Sequence, residues 1–476
     1  MTHHPRKGLV LAICCMSLLI VSLDATVVNV ALPSIRRDLN TTVSTLQWTI
    51  DGYTVAIASF LLLAGSAADR IGRRRVFQTG LVTFGLASLL CSLAPTIHLL
   101  ILFRILQGIG GSMLNPVAMS IITNIFTERR ERARAIGVWG AVVGVSQAFG
   151  PLVGGYLTEH VGWRSIFWVN VPIAVLAVVL TALFVPESKA PRARGIDPVG
   201  QVLVIVALAS LVYALIEGPG QGWASPVIVA LIVVAAAAVA GLIGYERRLE
   251  EPFLDMRFFR SVPFSSATLV AVLAFGAYAA FLFVNALYLQ QIRGYSPFAT
   301  GLYMLPLAAC TLAASLNSGR MVGRFGTRPS LMIAGGLLCA SGISLTFLRA
   351  DTPYAVLLIS YVLFGLGFGT VNAPITTTAV GGMPMSQAGV AAGVASTSRQ
   401  AGTSIGVALA GTLTGAGASA AIGPSFTGDT HLLWWVVAAS GLAVLLIGFV
   451  STTPWAHRSS DAVRMLFEER GERAGV

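Results

Sequence analysis

Two ionisable side chains lie inside long apolar stretches: Asp24, within LDATVVNVALP (Leu23–Pro33), and Arg104, within LILFRILQGIGG (Leu100–Gly111). A carboxylate and a guanidinium in such a setting point to proton binding and release rather than bond cleavage. Desolvation disfavours a carboxylate's charge and a nearby cation favours it, so a movement that alters either contact loads or unloads a proton. An unpaired charge at the centre of a membrane helix costs roughly 2.5–3.5 kcal/mol, so each residue should face a cavity or a partner. Asp24 lies eight residues from Leu32 and Arg104 seven from Ile97. At 1.5 Å per residue both sit about 11 Å from the same face, a matching depth. An inert structural ion pair is the competing reading. Asp51 sits slightly shallower on the next stretch; for it the competing reading is a helix-start acid in contact with water.

The elements that must hold these residues are membrane helices. The chain has 476 residues, 55% hydrophobic and 11% charged, against about 25% charge in a soluble domain. Runs of about 20 apolar residues span a bilayer. Fourteen are expected, at 9–31, 46–68, 76–94, 97–119, 135–158, 163–185, 198–216, 224–245, 264–289, 299–322, 330–348, 354–381, 387–414 and 431–450.

The net charge of +11 is distributed as a topology signal. With the N-terminus inside, the inner segments hold 23 Lys and Arg, among them Arg6, Arg192 and Arg194, and the outer ones hold five. That bias places both termini in the cytoplasm, and the basic charge needs no nucleic acid. Trp48, Trp163, Trp223, Trp434 and Trp435 fall near the outer face, as an aromatic belt would. The first run lacks a small-residue cleavage site and reads as a retained span. All five cysteines lie inside spans with no metal spacing, so no metal or cofactor is expected.

A basic turn occurs twice. Gly65–Arg75 reads GSAADRIGRRR, and Gly319–Arg328 repeats it 254 positions later, with Gly65, Arg70, Gly72 and Arg74 in register with Gly319, Arg324, Gly326 and Arg328. Duplication within a polytopic chain points to two related halves and alternating access. The expected architecture is all-α: a six-helix bundle over 1–185, a linker with two extra spans over 186–263, a second six-helix bundle over 264–453 and a cytoplasmic tail over 454–476. In the tail, Ala462, Val463, Leu466 and Phe467 form an apolar stripe suited to the inner membrane surface; a partly disordered tail is the alternative. Within the first turn Gly65 and Gly72 allow close packing and unusual backbone angles, Asp69 pairs locally or faces a helix N-terminus, and the arginines hold the loop inside. In span 5, SQAFGPLVGGYL (Ser146–Leu157) joins a helix-kinking Pro151 to Gly150, Gly154 and Gly155, which let another helix come close.

These motifs together resemble the fourteen-span drug:proton antiporters of the major facilitator superfamily. Gly65–Arg75 is similar to the loop 2–3 motif, Leu23–Pro33 to the first-span motif, Leu100–Gly111 to the proton-translocation motif and Ser146–Leu157 to the antiporter motif. The likeness continues through Trp163–Pro172, Met304–Pro306, Gly319–Arg328 and Ser398–Gly402, nearly the whole chain. Three departures stand out: Ser146 replaces a usual Gly, Arg74 a frequent Lys, and Gly323 occupies the second-half position of Asp69. The resemblance implies a monomeric exporter of small lipophilic, often cationic compounds driven by inward proton flow. Asp24 would accept the proton, with Arg104 modulating it. Asp69 and Arg73, with Gly65, Arg70 and Gly72, would gate the cytoplasmic side, and the span-5 kink would seal against leak.

Polar residues at mid-span make Asn29, Gln107, Asn115, Asn285, Asn372, Arg399 and Gln400 candidate cavity groups, with Phe275, Tyr278 and Phe281 as stacking partners. A membrane enzyme is disfavoured because all six His lie in termini or near span ends and no Walker loop or metal spacing occurs. A channel fits the duplicated halves less well than a carrier. A carrier of the same fold for a specific metabolite, a self-made antibiotic or a lipid is the alternative cargo reading.

Overall fold

The computed structural model describes residues 7–190, 195, 197–249, 255–381, 383, 387–415 and 426–473. Arg6, Arg192 and Arg194, counted in the charge bias, lie outside the described residues.

Among the described residues the secondary structure is entirely helical. We number the helices α1 (Lys7–Asp38), α2 (Val43–Ile71), α3 (Arg73–Leu93), α4 (Ile97–Ile125), α5 (Arg129–His160), α6 (Ser165–Phe184), α7 (Pro198–Gln221) and α8 (Pro226–Glu246). Then come α9 (Val262–Leu287), α10 (Leu305–Phe325), α11 (Thr327–Leu345), α12 (Tyr354–Gly381), α13 (Ala388–Leu413), α14 (Phe426–Val450) and α15 (Pro454–Arg473). Among the described residues twelve helices are long and apolar enough to cross a membrane, or thirteen if the short helix Pro297–Tyr303 and α10, bent by 42° from each other, form one span. The helix α13 is not among them. It is long enough, but Gly, Ser, Thr and Arg399 dilute its apolar content.

The packing repeats with an offset of eight helices. The pairs α1–α5, α2–α4, α3–α4 and α3–α6 recur as α9–α13, α10–α12, α11–α12 and α11–α14. Helices α7 and α8 pack on each other, and α7 also touches α2 and α13. Apolar side chains such as Leu102, Val175, Leu183, Val233 and Leu446 remain exposed on the helix surfaces, as lipid contact requires. Trp223 and Trp435 are also exposed, but Trp434 is fully buried against Phe281 and does not join a belt.

The two basic turns share a geometry. Gly72 (φ 132°) and Gly326 (φ 80°) both have positive φ at the helix junction, where a side chain is strained. A Cβ on Gly72 would also lie 2.7 Å from the Glu187 carboxylate. The turn is tied to the strand of chain after α6: Arg73 N–H donates to Ser188 O, Ala190 N–H to Asp69 O, and Arg74 N–H to Glu187 Oε1. Glu187 thus supplies the carboxylate that the N-terminus of α3 lacks locally, since Gly72 has no capping side chain. The tail helix α15 docks instead of lying free: Val463 is buried, Phe467 meets Phe258, and Ser459 Oγ accepts from Val262 N–H.

Candidate functional site

Asp24 and Arg104 meet. Arg104 Nη1 lies 2.5 Å from Asp24 Oδ2, and both side chains are 1% exposed. Their helices do not bring them together unaided. Gln107, one turn beyond Arg104 on α4, donates to Asp24 Oδ1 at 2.9 Å, and Asn170 at the start of α6 donates to the same oxygen at 3.1 Å. Gln107 also accepts from Arg104 Nη1 at 2.7 Å and donates to Ser88 Oγ on α3 at 2.8 Å. Arg104 Nε donates to Thr49 O, and its guanidinium lies 4.1 Å above the Tyr53 ring. Both Asp24 oxygens are occupied, so the charge is held by specific dipoles as well as by its counter-ion. Gln107, expected at the cavity wall, is sealed in this network instead. Asn170 and Ser88 were not expected; Asn170 shares no helix with the other members, so only the packing reveals it.

Asp51 is not in contact with water. It is fully buried, its Oδ1 accepts from Ser404 Oγ of α13 at 2.8 Å, and its Oδ2 has no hydrogen-bond partner among the described residues. This contact joins α2 to α13 and has neighbours at the same end of the molecule. Gln47 donates to Val407 O at 2.7 Å, Gln290 donates to Val30 O at 2.8 Å, and Phe298 N–H donates to Glu159 Oε2 at 2.9 Å. The Gly-Pro-Gly-Gly cluster of α5 belongs to this seam. A Cβ on Gly154 would lie 2.8 Å from Val27 O, and one on Gly155 would strike Pro297 O. Gly150 sits against Thr26, and Pro151 O faces Gly301.

Away from the seam the helices part around a cavity of about 1810 Å³. It ends near Asn29, Ile50 and Val407 and runs to the end that carries the basic turns, where Gly65, Asp69, Asp255, Arg257 and Phe467 line it. Asp69 pairs there with Arg73 at 2.9 Å, one turn on; Arg70 is exposed. Of the expected cavity residues, Asn29, Asn115, Phe275, Tyr278, Asn372, Arg399 and Gln400 reach the wall. Two do not. Asn285 is fully buried, donating to Phe281 O and accepting from Tyr361 Oη, and Phe281 packs in the core between Phe364 and Trp434. Arg104 reaches the wall beside Tyr53, while Asp24 lies behind it. Among the described residues no cluster of His, Cys, Asp and Glu is arranged to hold a metal.

An all-helical, multi-pass chain with a deep cavity closed at one end is the architecture of a membrane carrier. The comparisons with known proteins agree. Residues 14–407 match the model of the Major Facilitator Superfamily. The chain is 37% identical over 384 residues to the multidrug resistance protein Stp of Mycobacterium tuberculosis, covering 81% of this chain and 71% of that one. It is 40% identical over 403 residues to the puromycin resistance protein of Streptomyces alboniger (83% and 79% covered). It is 34% identical over 405 residues to the tetracenomycin C resistance and export protein of Streptomyces glaucescens (84% and 75%). Its fold is similar to that of a D-xylose–proton symporter, with a TM-score of 0.66 at 14% identity, covering 92% of this chain and 97% of that one. The chain belongs to the Major Facilitator Superfamily and is a transporter, not an enzyme.

Proposed function

We propose that this protein exports small lipophilic drugs or antibiotics across a bacterial cytoplasmic membrane in exchange for protons, as a monomer working by alternating access. The observation that carries this reading is the combination of a cavity closed at one end with the sealed Asp24–Arg104 pair, whose arginine reaches the cavity wall. The names of the relatives, drug and antibiotic resistance proteins of Mycobacterium and Streptomyces species, support the cargo class. In this reading α1–α14 are fourteen spans: bundles over 1–185 and 264–453, joined by α7 and α8 within 186–263, with residues 454–476 as tail. The eightfold helix offset in packing supports the two bundles.

With both termini in the cytoplasm, the basic turns lie inside and the cavity faces inward. Outward opening then requires the seam at Gln47, Asp51, Gly155 and Gln290 to part. That movement admits water to Asp51 and changes how α1, which carries Asp24, packs on α5. Asp24 and Asp51 are the proton-carrying acids, Arg104 sets the state of Asp24, and Gly150, Pro151, Gly154 and Gly155 form the outer seal. Asp69 and Arg73, with Gly65, Arg70 and Gly72, form the inner gate as the cavity closes on that side.

The test is transport in proteoliposomes under an imposed pH gradient, with ethidium and a panel of lipophilic antibiotics, comparing wild type with Asp24→Asn. Gradient-driven movement lost in the variant is the expected result. Intact transport in the variant would move coupling to Asp51. Absence of transport by folded wild type for every panel member would remove drug export.

A further inference from the structure

The charges on the cavity wall are not balanced. Among the described residues five charged ones line it: Asp69, Arg104, Asp255, Arg257 and Arg399. Four are in ion pairs, Asp69 with Arg73, Arg104 with Asp24, and Asp255 with Arg257. Among the described residues no carboxylate pairs with Arg399. Among the described residues its hydrogen bonds both use Nη2, to Thr376 Oγ1 at 2.6 Å and to Asn372 O at 3.4 Å, and its buried Nε has no partner. A guanidinium stays protonated and carries five donors in a planar fork. One held in mid-helix within a membrane, beside a cavity and without a counter-ion, is expensive unless something else supplies the anion.

The surroundings state what shape that anion has. The Arg399 guanidinium lies 5.6 Å from the centre of the Phe275 ring. Phe275 packs edge-on against Phe368, and Tyr278 stacks flat on Phe368 with centroids 4.0 Å apart and planes 2° from parallel. Phe275 and Tyr278 both face the cavity. The wall therefore offers an aromatic surface next to an unsatisfied cation at the same depth.

We infer that Arg399 is a specificity-determining residue and that the preferred cargo is a planar aromatic compound carrying a carboxylate or an ionised phenol, its anion on Arg399 and its rings on Phe275 and Tyr278. The inference rests on the export reading and refines it. It departs from the cationic preference implied by the family resemblance, because neither Asp24 nor Asp51 reaches the cavity wall in this conformation.

The test uses the full chain in lipid nanodiscs, titrated with an anthracene carboxylate and with the matching uncharged carboxamide. A charge-assisted hydrogen bond is worth enough to favour the acid by about tenfold or more. The expected result is that preference in the wild type, its collapse to a ratio near one in Arg399→Gln, and partial retention in Arg399→Lys, which keeps the charge but loses the fork. Thermal unfolding of each variant separates a lost site from a lost fold, and the wild-type ratio decides the matter if Arg399→Gln does not fold. Equal wild-type affinity for acid and amide overturns the inference and assigns Arg399 to an internal partner. So does an Arg399→Gln variant that weakens both ligands equally. Gradient-driven transport of ethidium by the wild type, measured in parallel, reports on the export reading alone, so the two can fail separately.

Discussion

Arg104 and Asp24, 80 residues apart in the chain, form an ion pair with Nη1 2.5 Å from Oδ2 in a site almost closed to solvent. Removing one member of such a pair strands the other, which costs about 3–5 kcal/mol, whereas replacing both by apolar residues costs far less. Arg104→Leu is therefore expected to lower stability by about 3–5 kcal/mol, and Arg104→Leu with Asp24→Leu by less than the sum of the single changes. Denaturant unfolding of the four proteins in one detergent measures the cycle. Additive losses would mean that the two residues do not act as a pair.

Asn170 gives a finer probe of the same site. It holds Asp24 Oδ1 from α6, while Gln107 holds that oxygen from α4. Asn170→Leu keeps the volume and removes one of two bonds, so the loss should be about 1–3 kcal/mol, smaller than for Arg104. If the network positions Asp24 for proton exchange, the pH at which gradient-driven efflux is half-maximal shifts as well. A stability loss with an unmoved pH profile would leave Asn170 a packing residue only.

The depth of Asp24 and Arg104 was legible because helical rise is constant, so counting residues from the apolar ends suffices. Rotation about the helix axis is not counted that way. Polarity alone puts Gln107 and Asn285 on the cavity wall, yet their faces turn inward to Asp24 and to Tyr361. The spacing of Gln107, three after Arg104, was the available signal, since residues three apart share a face. Asn170 and Glu187 had no such signal: one lies in the second turn of α6 and the other follows that helix, and each acts on a helix distant in sequence. The helix α13 escapes a hydropathy measure for a related reason. Its glycines approach backbone rather than lipid, Gly402 against Val272 and Gly406 against Gly276, so small residues serve where large apolar ones would not fit. The repeat of the basic turn was legible to the residue, and both copies place a positive-φ glycine at the same register.

The turn at Gly72 makes a separable prediction. Its φ of 132° disfavours any side chain, and a Cβ would meet the Glu187 carboxylate. Gly72→Ala combines backbone strain with a clash and should cost about 1–3 kcal/mol. Glu187→Ala alone removes the carboxylate at the start of α3 and costs about 0.3–1 kcal/mol. In the double variant the clash disappears but the strain remains, so it should recover only part of the loss. Full recovery in thermal unfolding would show that the backbone angle is not the constraint.

The seam at Gly155 sets the balance between the two ends of the molecule. Pro297 O lies where a Gly155 side chain would be, and Gly301 approaches Pro151 O from the facing segment. Gly155→Val overpacks that contact, a change that costs about 1–3 kcal/mol in a close-packed interior. The cost falls only on the state in which the seam is shut. Each 1.4 kcal/mol is a factor of about ten in a two-state equilibrium, so a shut conformation favoured by that margin would lose its advantage. Spin labels at Val161 and Phe347, both exposed at this end, report the outcome through their distance distribution. A shift to longer distances in Gly155→Val, with slower gradient-driven efflux, is expected. An unchanged distribution alongside a lowered unfolding temperature would show that the glycines serve packing within α5 and not the closure of that end.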